Sequence, residues 1–176
     1  MLFRGEKKLA LRFLIEVNSP FPEIHKTFTE LRYTEDGGAD EQIAFALLEL
    51  VSNSIRAHEE KGIREPVVVE LRSTDHRLTV LVLDRGGGFD VSLLPYSLDE
   101  PVPPMDLLSS RFIEYRERYD NKRFGMGLIA VRRVFPEFSL YFVDEERNRV
   151  QWPSPRITGT AIDLKLPLEL KLEVAS

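Results

Sequence analysis

The 176 residues include no cysteine, which excludes disulfides, thiolate zinc sites and cysteine nucleophiles and fits a cytoplasmic protein. The net charge of −5 argues against general nucleic-acid binding, and the apolar runs are too short to predict a membrane span. With 43% hydrophobic residues, a chain of this length can bury a full core, so 1–176 is predicted to be a single domain.

The first half of the chain predicts a strand, two helices and a hairpin, each bounded by turn residues. Asp40 stands immediately before a long helical pattern and is predicted to be its N-cap. Residues 73–76 are enough for a tight turn, so the two strands around them are expected to pair. In chain order, the predicted elements are a strand at 9–17, a helix from Pro22 to about Tyr33, a long helix from Asp40 to near Lys61 and Gly62, and strands at 65–72 and 78–84.

A long excursion at 91–123 interrupts the regular pattern of the second half. Its first part contains four prolines, which forbid regular structure there: Pro95, Pro101, Pro103 and Pro104. Its second part, 105–120, is expected to be helical because four apolar residues recur at helical spacing, namely Leu108, Phe112, Tyr115 and Tyr119. These four fit either a partner-binding stripe or simple packing onto the sheet. Long excursions within compact domains are usually functional or mobile.

The elements after this excursion complete the predicted fold. They are expected to be a helix at 127–135 and strands at 138–143 and 159–166, with a polar turn at 145–155. Strands and helices therefore do not alternate as they do in a doubly wound sheet. The order predicts an α/β (α+β) two-layer sandwich, in which a mixed, mostly antiparallel sheet carries helices on one face.

Glu49 and Asn53 stand out within the apolar helical pattern QIAFALLELVSNSIRAH at 42–58. They are one helical turn apart, so both side chains project from the same face. An amide oxygen suits Mg²⁺, which binds mainly through substrate phosphates, and a nearby carboxylate can accept a proton from an attacking hydroxyl. A solvated polar stripe on an amphipathic helix explains the same pair.

Asp84 ends a predicted strand and is followed closely by Gly86 and Gly88. A carboxylate in that place can accept a hydrogen bond from an exocyclic amine such as that of adenine. The glycines would let the backbone approach a base closely. A glycine-rich strand exit without any ligand explains the short pattern as well.

Two further segments carry glycines next to a predicted element. Gly125 and Gly127 precede a helix, whose N-terminal amides and dipole favour anions such as phosphates, and Arg123 adds a positive charge. The alternative is a flexible loop. Gly159 and Thr160 open the last strand, where the threonine hydroxyl could face the same pocket. None of these patterns is a Walker loop or a Rossmann fingerprint.

The conjunction of four segments is more informative than any one of them. ELVSN lies on a helix, DRGGGF at a strand end, FGMGL before a helix and GTAIDLKLP in the closing strand. Together they resemble the GHKL ATPase superfamily, which includes gyrase-type topoisomerases, the ninety-kilodalton heat-shock chaperone, histidine kinases and mismatch-repair ATPases. The resemblance extends from about residue 40 to 168. It implies a Bergerat-type ATP-binding fold with ATP and Mg²⁺ as cofactors and an ATP lid at about 91–123.

The resemblance also implies roles for individual residues. Glu49 takes the position of the general base and Asn53 that of the Mg²⁺ ligand, while Asp84 matches the residue that reads adenine. The other expected nucleotide contacts are Gly86, Gly88, Phe89, Arg123, Gly125, Met126, Gly127, Leu128 and Thr160. Arg56 and His58 depart from the residues usual after the Asn.

Within the superfamily, the chain looks most like the bacterial anti-sigma factor serine/threonine kinases, because Glu49 occupies the base position. Such a protein would bind a sigma factor and phosphorylate a serine on an anti-anti-sigma antagonist. Two alternatives stay open: an ATP-dependent protein-binding module without kinase activity, and a detached histidine kinase catalytic domain. Partner contacts are expected with protein, not with nucleic acid or membrane, and homodimerisation is left open.

Overall fold

Six strands form one sheet in the computed structural model, which describes residues 9–34, 37–74, 76–102, 106–120 and 125–168. They are β1 (Leu9–Ile15), β2 (Val67–Thr74), β3 (Arg77–Leu83), β4 (Glu137–Val143), β5 (Arg149–Val150) and β6 (Gly159–Pro167). The order across the sheet is β1-β2-β3-β6-β4-β5, and each of these pairings is antiparallel. β3 and β6 therefore lie side by side at the centre.

The helices pack on one face of this sheet. They are α1 (Phe21–Thr29), α2 (Asp40–Lys61), α3 (Ser110–Arg118) and α4 (Gly127–Val134), with a short 3-10 turn at Val91–Leu93. Alternate residues of the central strands join side chains of α1, α2 and α4 in one buried cluster. This arrangement confirms the predicted two-layer sandwich with helices on one face of a mostly antiparallel sheet. Within the described ranges, no helix is both long and apolar enough to cross a bilayer.

The connection between α1 and α2 differs from the prediction. The helix expected to reach Tyr33 ends at Thr29, because the backbone N–H groups of Tyr33 and Thr34 donate to Asp40 Oδ1, over 3.0 Å and 2.9 Å. The prediction of Asp40 as the N-cap is also wrong. Asp40 is the first residue of α2, and Ala39 is the cap without any side-chain hydrogen bond. The carboxylate holds the preceding loop instead of the helix end.

Other boundaries follow the sequence more closely. α2 ends at Lys61, and Gly62 closes it in the left-handed conformation, as the sequence indicates. The predicted hairpin is confirmed by the antiparallel pairing of β2 with β3. The predicted polar turn at 145–155 contains the short strand β5, which pairs with the end of β4. The predicted lid helix is shorter than expected and spans Ser110–Arg118.

Candidate functional site

One face of α2 forms a wall of a cavity of about 670 Å³. Residues at helical spacing run along this wall, among them Phe45, Glu49, Asn53, Arg56 and Glu60. The other walls come from the turn after β3, the lid segment 93–96, the lid helix α3 and the segment 125–128 that begins α4. The polar pair singled out in the sequence thus lines a cavity, which a solvated stripe on the outer surface of a helix would not do.

Asp84 follows β3 with 8% of its surface exposed, and three hydrogen bonds hold its carboxylate. The backbone N–H groups of Gly86 and Thr160 donate to Oδ1 over 2.7 Å and 3.2 Å. Ser54 of α2 donates its hydroxyl to Oδ2 over 3.1 Å. Two donors thus fix one carboxylate oxygen, and Oδ2 keeps acceptor capacity for a ligand in the cavity.

The protonation of Asp84 reflects its burial. Burial raises the pKa of its carboxyl above the ordinary value, and the hydrogen bonds from Gly86, Thr160 and Ser54 offset part of that rise. A buried carboxylate is costly to a fold unless it is well partnered. A carboxyl with a raised pKa on a cavity wall makes Asp84 a candidate for a functional position.

The glycine turn after β3 makes two close approaches. A Cβ on Gly86 would lie 2.6 Å from the Cβ of Ala57, so a larger residue would push the turn away from α2. Gly88 has a φ of +71°, and its Cβ would lie 2.8 Å from the ring of Phe142. Phe89 lines the cavity and packs edge-on against Phe142, with ring centroids 5.9 Å apart. The backbone of this turn, at Gly86 and Gly88, therefore forms part of the cavity wall.

The first residue of α4, Gly127, meets the polar pair of α2. A Cβ on Gly127 would lie 2.5 Å from Glu49 Oε2 and 3.3 Å from Asn53 Nδ2. The N-terminus of α4, with its free N–H groups and positive dipole end, therefore lies beside both side chains. Met126 and Leu128 line the same cavity.

Gly125 joins this helix start to the lid. A Cβ there would lie 3.0 Å from Pro95 and 3.2 Å from Tyr115, which are both lid residues. The structure thus brings the segment 125–128 together with α2 and the lid. Arg123, predicted to add a positive charge here, lies outside the described residues.

β6 begins against Asp84. The carbonyl of Thr160 accepts a hydrogen bond from the Asp84 backbone N–H over 3.0 Å, and Thr160 is buried on the cavity wall. A Cβ on Gly159 would lie 1.9 Å from the Asp84 carbonyl oxygen. Thr160 is therefore beside Asp84, as the sequence predicts, while Gly159 has a packing role that the sequence interpretation did not give it.

Three α2 residues at the site were missed as functional positions. Ser54 holds the Asp84 carboxylate, Arg56 places a cation on the cavity wall, and His58 accepts a hydrogen bond from the Arg85 backbone N–H. The spacing of Arg56 from the polar pair was a usable signal, because it falls on the same helix face. Ser54 and His58 are also one turn apart, and this spacing was visible in the sequence.

A sequence comparison identifies the family to which this chain belongs. The model of the histidine kinase-like ATPase domain matches residues 23–152, which is more than half of the chain. The chain belongs to the histidine kinase-like ATPase domain family. Membership supports the GHKL superfamily and implies ATP binding. No curated protein matches the chain.

Two residues on the cavity wall of this histidine kinase-like ATPase domain have side chains that could hold a Mg²⁺ ion. Asn53 offers an amide oxygen there, with the carboxylate of Glu49 one turn away. In the described part of the chain, no three His, Cys, Asp or Glu side chains are grouped to hold a metal. Few protein ligands suit Mg²⁺, which keeps several waters and binds largely through phosphates.

The described residues of 91–123, the segment predicted to be the ATP lid, include side chains that pack inward. Phe112 is buried with Tyr96 and Ile129 in a small cluster, and Tyr115 is buried as well. Leu108, in contrast, is 82% exposed. The partner-stripe interpretation is therefore wrong for Phe112 and Tyr115, because these aromatic rings bury their area inside the domain.

One arginine of α4 holds the first part of the lid. The Arg132 guanidinium donates to the carbonyl of Ser97 over 3.1 Å and also to the carbonyl of Glu100. On the other side, Tyr115 and Tyr119 of α3 and its C-cap line the cavity. The lid is thus tied to α4 at one end and contributes cavity wall at the other.

Gly127→Ala is expected to weaken Mg-ATP binding about tenfold without weakening the fold. The new methyl would displace the Glu49 and Asn53 side chains, which can rotate away, and the helical backbone at Gly127 accepts alanine. Calorimetric titration of ATP and thermal melting of the nucleotide-free protein check both parts. An unchanged ATP affinity would show that these side chains move aside at no cost to binding.

Proposed function

We propose that this chain is an ATP-dependent protein serine/threonine kinase in which Glu49 is the general base. The observation that carries the proposal is the place of the Glu49 carboxylate, beside Asn53 and the N-terminus of α4 on the wall of the ATP cavity. A base must lie within reach of the proton it accepts. An acidic side chain at the proposed phosphate end of the cavity can act as a general base, a role that nucleotide binding alone does not require.

The contacts of α2 give the proposed orientation of ATP. Ser54 and Ala57 of α2 touch Asp84 and the glycine turn, so the adenine end lies toward the C-terminus of this helix. Glu49 lies about 7.5 Å nearer the N-terminus than Ser54, given a rise of about 1.5 Å per residue. The triphosphate would extend that way, toward the positive dipole end of α4 at Gly127.

The proposed reaction transfers the γ-phosphoryl group to a hydroxyl of a partner protein. The hydroxyl oxygen forms a bond to the γ-phosphorus, and the bond from that phosphorus to the β–γ bridging oxygen breaks, which releases ADP. The hydroxyl proton passes to the Glu49 carboxylate. When bound, Mg²⁺ neutralises phosphate charge, and Asn53 is the residue proposed to hold it.

The proposed partners follow from the resemblance to the anti-sigma factor kinases. On that interpretation, the acceptor is a serine of an anti-anti-sigma antagonist, and a sigma factor binds the same protein. Glu49 supports this branch, since the resemblance places a base there.

The test is Glu49→Gln, assayed with ATP labelled in the γ-phosphate and the proteins that co-purify with the chain. We expect a loss of phosphoryl transfer of about 10²- to 10⁴-fold with ATP affinity within about threefold of wild type. Glu59→Gln, an exposed carboxylate of the same helix, is the matched control and should transfer at the wild-type rate.

The product and the variant separate the competing functions. An acid-stable phosphoprotein agrees with serine or threonine, whereas an acid-labile product would indicate a detached histidine kinase domain. Transfer by Glu49→Gln at the wild-type rate would contradict the base assignment. If wild type binds ATP and transfers nothing, the chain is a nucleotide-dependent binding module.

A further inference from the structure

His58 is enclosed completely within the domain, near the end of α2. It has no exposed surface, although it is an ionisable residue on the helix that carries the proposed base. Both ring nitrogens are within hydrogen-bond distance of backbone atoms. Nε2 lies 2.7 Å from the backbone nitrogen of Arg85, and Nδ1 lies 3.0 Å from the carbonyl oxygen of Glu65. A buried ring with two such contacts is fixed in orientation.

The two partners determine the tautomer of this ring. A backbone N–H can only donate, so His58 Nε2 must be the acceptor of the Arg85 N–H. Nδ1 then carries the proton and donates to the Glu65 carbonyl. Both polar atoms of the ring therefore serve the backbone.

The residue that His58 holds is the one immediately after Asp84. Ser54, one turn earlier on α2, donates to the Asp84 carboxylate itself. The helix therefore fixes the strand exit at two consecutive points. Because Gly86, the next residue along the turn, donates to Asp84 Oδ1, a displacement of Arg85 would disturb the carboxylate directly.

The Arg85 side chain secures the same point from the opposite side. Its guanidinium donates to the carbonyls of Asp144 and Glu145 over 3.2 Å and 3.1 Å, and to the hydroxyl of Thr158 over 2.9 Å. It also lies 3.6 Å from the Glu65 carboxylate. With the side chain tied to the end of β4 and the backbone tied to α2, Arg85 has little freedom to move.

We infer that His58 is a positioning residue for base recognition. By accepting the Arg85 N–H, it holds the turn that orients Asp84, so Oδ2 stays aimed at the exocyclic amine of adenine. The inference rests on the proposed role of Asp84. It extends that role to a residue that never touches the nucleotide and that acts through one backbone amide.

The test compares the affinities of ATP and inosine triphosphate, which lacks the exocyclic amine that Asp84 would read. His58→Phe keeps a ring and removes both hydrogen bonds. We expect ATP to bind about tenfold more weakly, because the turn that orients Asp84 loses a hydrogen bond of about that strength. Inosine triphosphate should bind within about twofold of its wild-type affinity. His58→Gln, which offers one donor and one acceptor, should restore ATP binding to within about threefold.

A matched control separates positioning from loss of stability. Tyr33→Phe removes another buried hydrogen bond, from the Tyr33 hydroxyl to the Phe28 carbonyl, on a part of the chain away from the cavity. It should lower the melting temperature and leave the ratio of the two affinities unchanged. An equal loss of both nucleotides in His58→Phe would overturn the inference and leave a structural role only.

Two comparisons keep this result distinct from the proposed function. If Asp84→Asn leaves the ratio of ATP affinity to inosine triphosphate affinity unchanged, the proposed role of Asp84 is wrong. If Asp84→Asn lowers this ratio and His58→Phe does not, only the present inference is wrong. Should His58→Phe not fold, ¹⁵N NMR of the wild-type ring decides. A bare Nε2 that shifts with ATP and not with inosine triphosphate agrees with the inference, and a protonated Nε2 contradicts it.

Discussion

Gly159→Ala is expected to lower the free energy of unfolding by about 3 kcal/mol or more, the largest stability effect of any single methyl group added to a glycine in the described chain. The added Cβ would lie 1.9 Å from the Asp84 carbonyl oxygen, 2.9 Å from its carbon and 3.2 Å from the Arg85 Cα. All three are backbone atoms, which cannot rotate away as a side chain can. The two central strands would have to separate where β6 begins.

Urea unfolding of the nucleotide-free protein measures this effect, with Gly62→Ala as the control. Gly62 has a φ of +66° but no atom within 4 Å of an added methyl, so its cost is the left-handed backbone alone, about 1–2 kcal/mol. A smaller loss for Gly159→Ala than for Gly62→Ala would contradict the argument from contact. ATP binding should weaken in the Gly159 variant, because the clash is with Asp84 itself.

Asp84→Asn is expected to abolish the stabilisation by ATP without destabilising the free protein. At about a hundred times its dissociation constant, ATP should add roughly 2.7 kcal/mol. For a chain of this size, that is a rise of about 5–10 °C in melting temperature. The asparagine can still accept from the backbone N–H groups of Gly86 and Thr160, but it places an amide where the adenine amine needs an acceptor.

The free Asp84→Asn protein should be as stable as wild type at neutral pH, or more so. Burial raises the pKa of Asp84 in the folded state, so the folded protein binds this proton more tightly than the unfolded chain does. The stability that Asp84 contributes is then fully present at pH values below its pKa in the unfolded chain. It is lost as the pH rises through its pKa in the folded protein. Ionised Asp84 is therefore a cost at neutral pH, and the asparagine removes it.

Melting curves with and without Mg-ATP, at pH values from acid to neutral, test both parts together. The advantage of the variant over wild type in the free state should grow as the pH rises, which is opposite to the usual loss when a well-paired carboxylate is removed. An ATP-dependent rise in melting temperature equal to that of wild type would contradict the role of Asp84. Ser54→Ala removes one donor to Oδ2. Its ATP-dependent rise in melting temperature should lie between those of wild type and Asp84→Asn.

The sequence was sufficient for the fold class, for the order of most elements along the chain and for the segments that line the cavity, but not for the strand order of the sheet or for β5. The spacing of Glu49 and Asn53 placed both on one helix face, and the glycines beside Asp84 and Gly127 marked places where backbone approaches another element. These signals are local, so they survive without knowledge of the tertiary structure. The roles of these residues in catalysis and binding stay predictions.

Contacts between distant segments could not be predicted. His58 resembles any ionisable residue near a helix end until the Arg85 backbone N–H is seen to meet its ring. The early end of α1 has the same cause, since Asp40 takes amides that would otherwise continue the helix. In both cases a side chain accepts a hydrogen bond from a backbone N–H group outside its own helix. The periodicity of the sequence does not indicate such a contact.

The position of α2 sets which parts of this protein can change in length. One rigid helix carries the proposed base, the proposed metal ligand and the two residues that fix the Asp84 turn, so they keep a constant separation. One residue inserted between Asn53 and Ser54 would rotate the two residues that fix the Asp84 turn by about 100° relative to Glu49 and Asn53. The predicted lid contributes to the cavity wall from a separate segment of the chain, so a change of length there would leave the spacing of the residues on α2 unchanged.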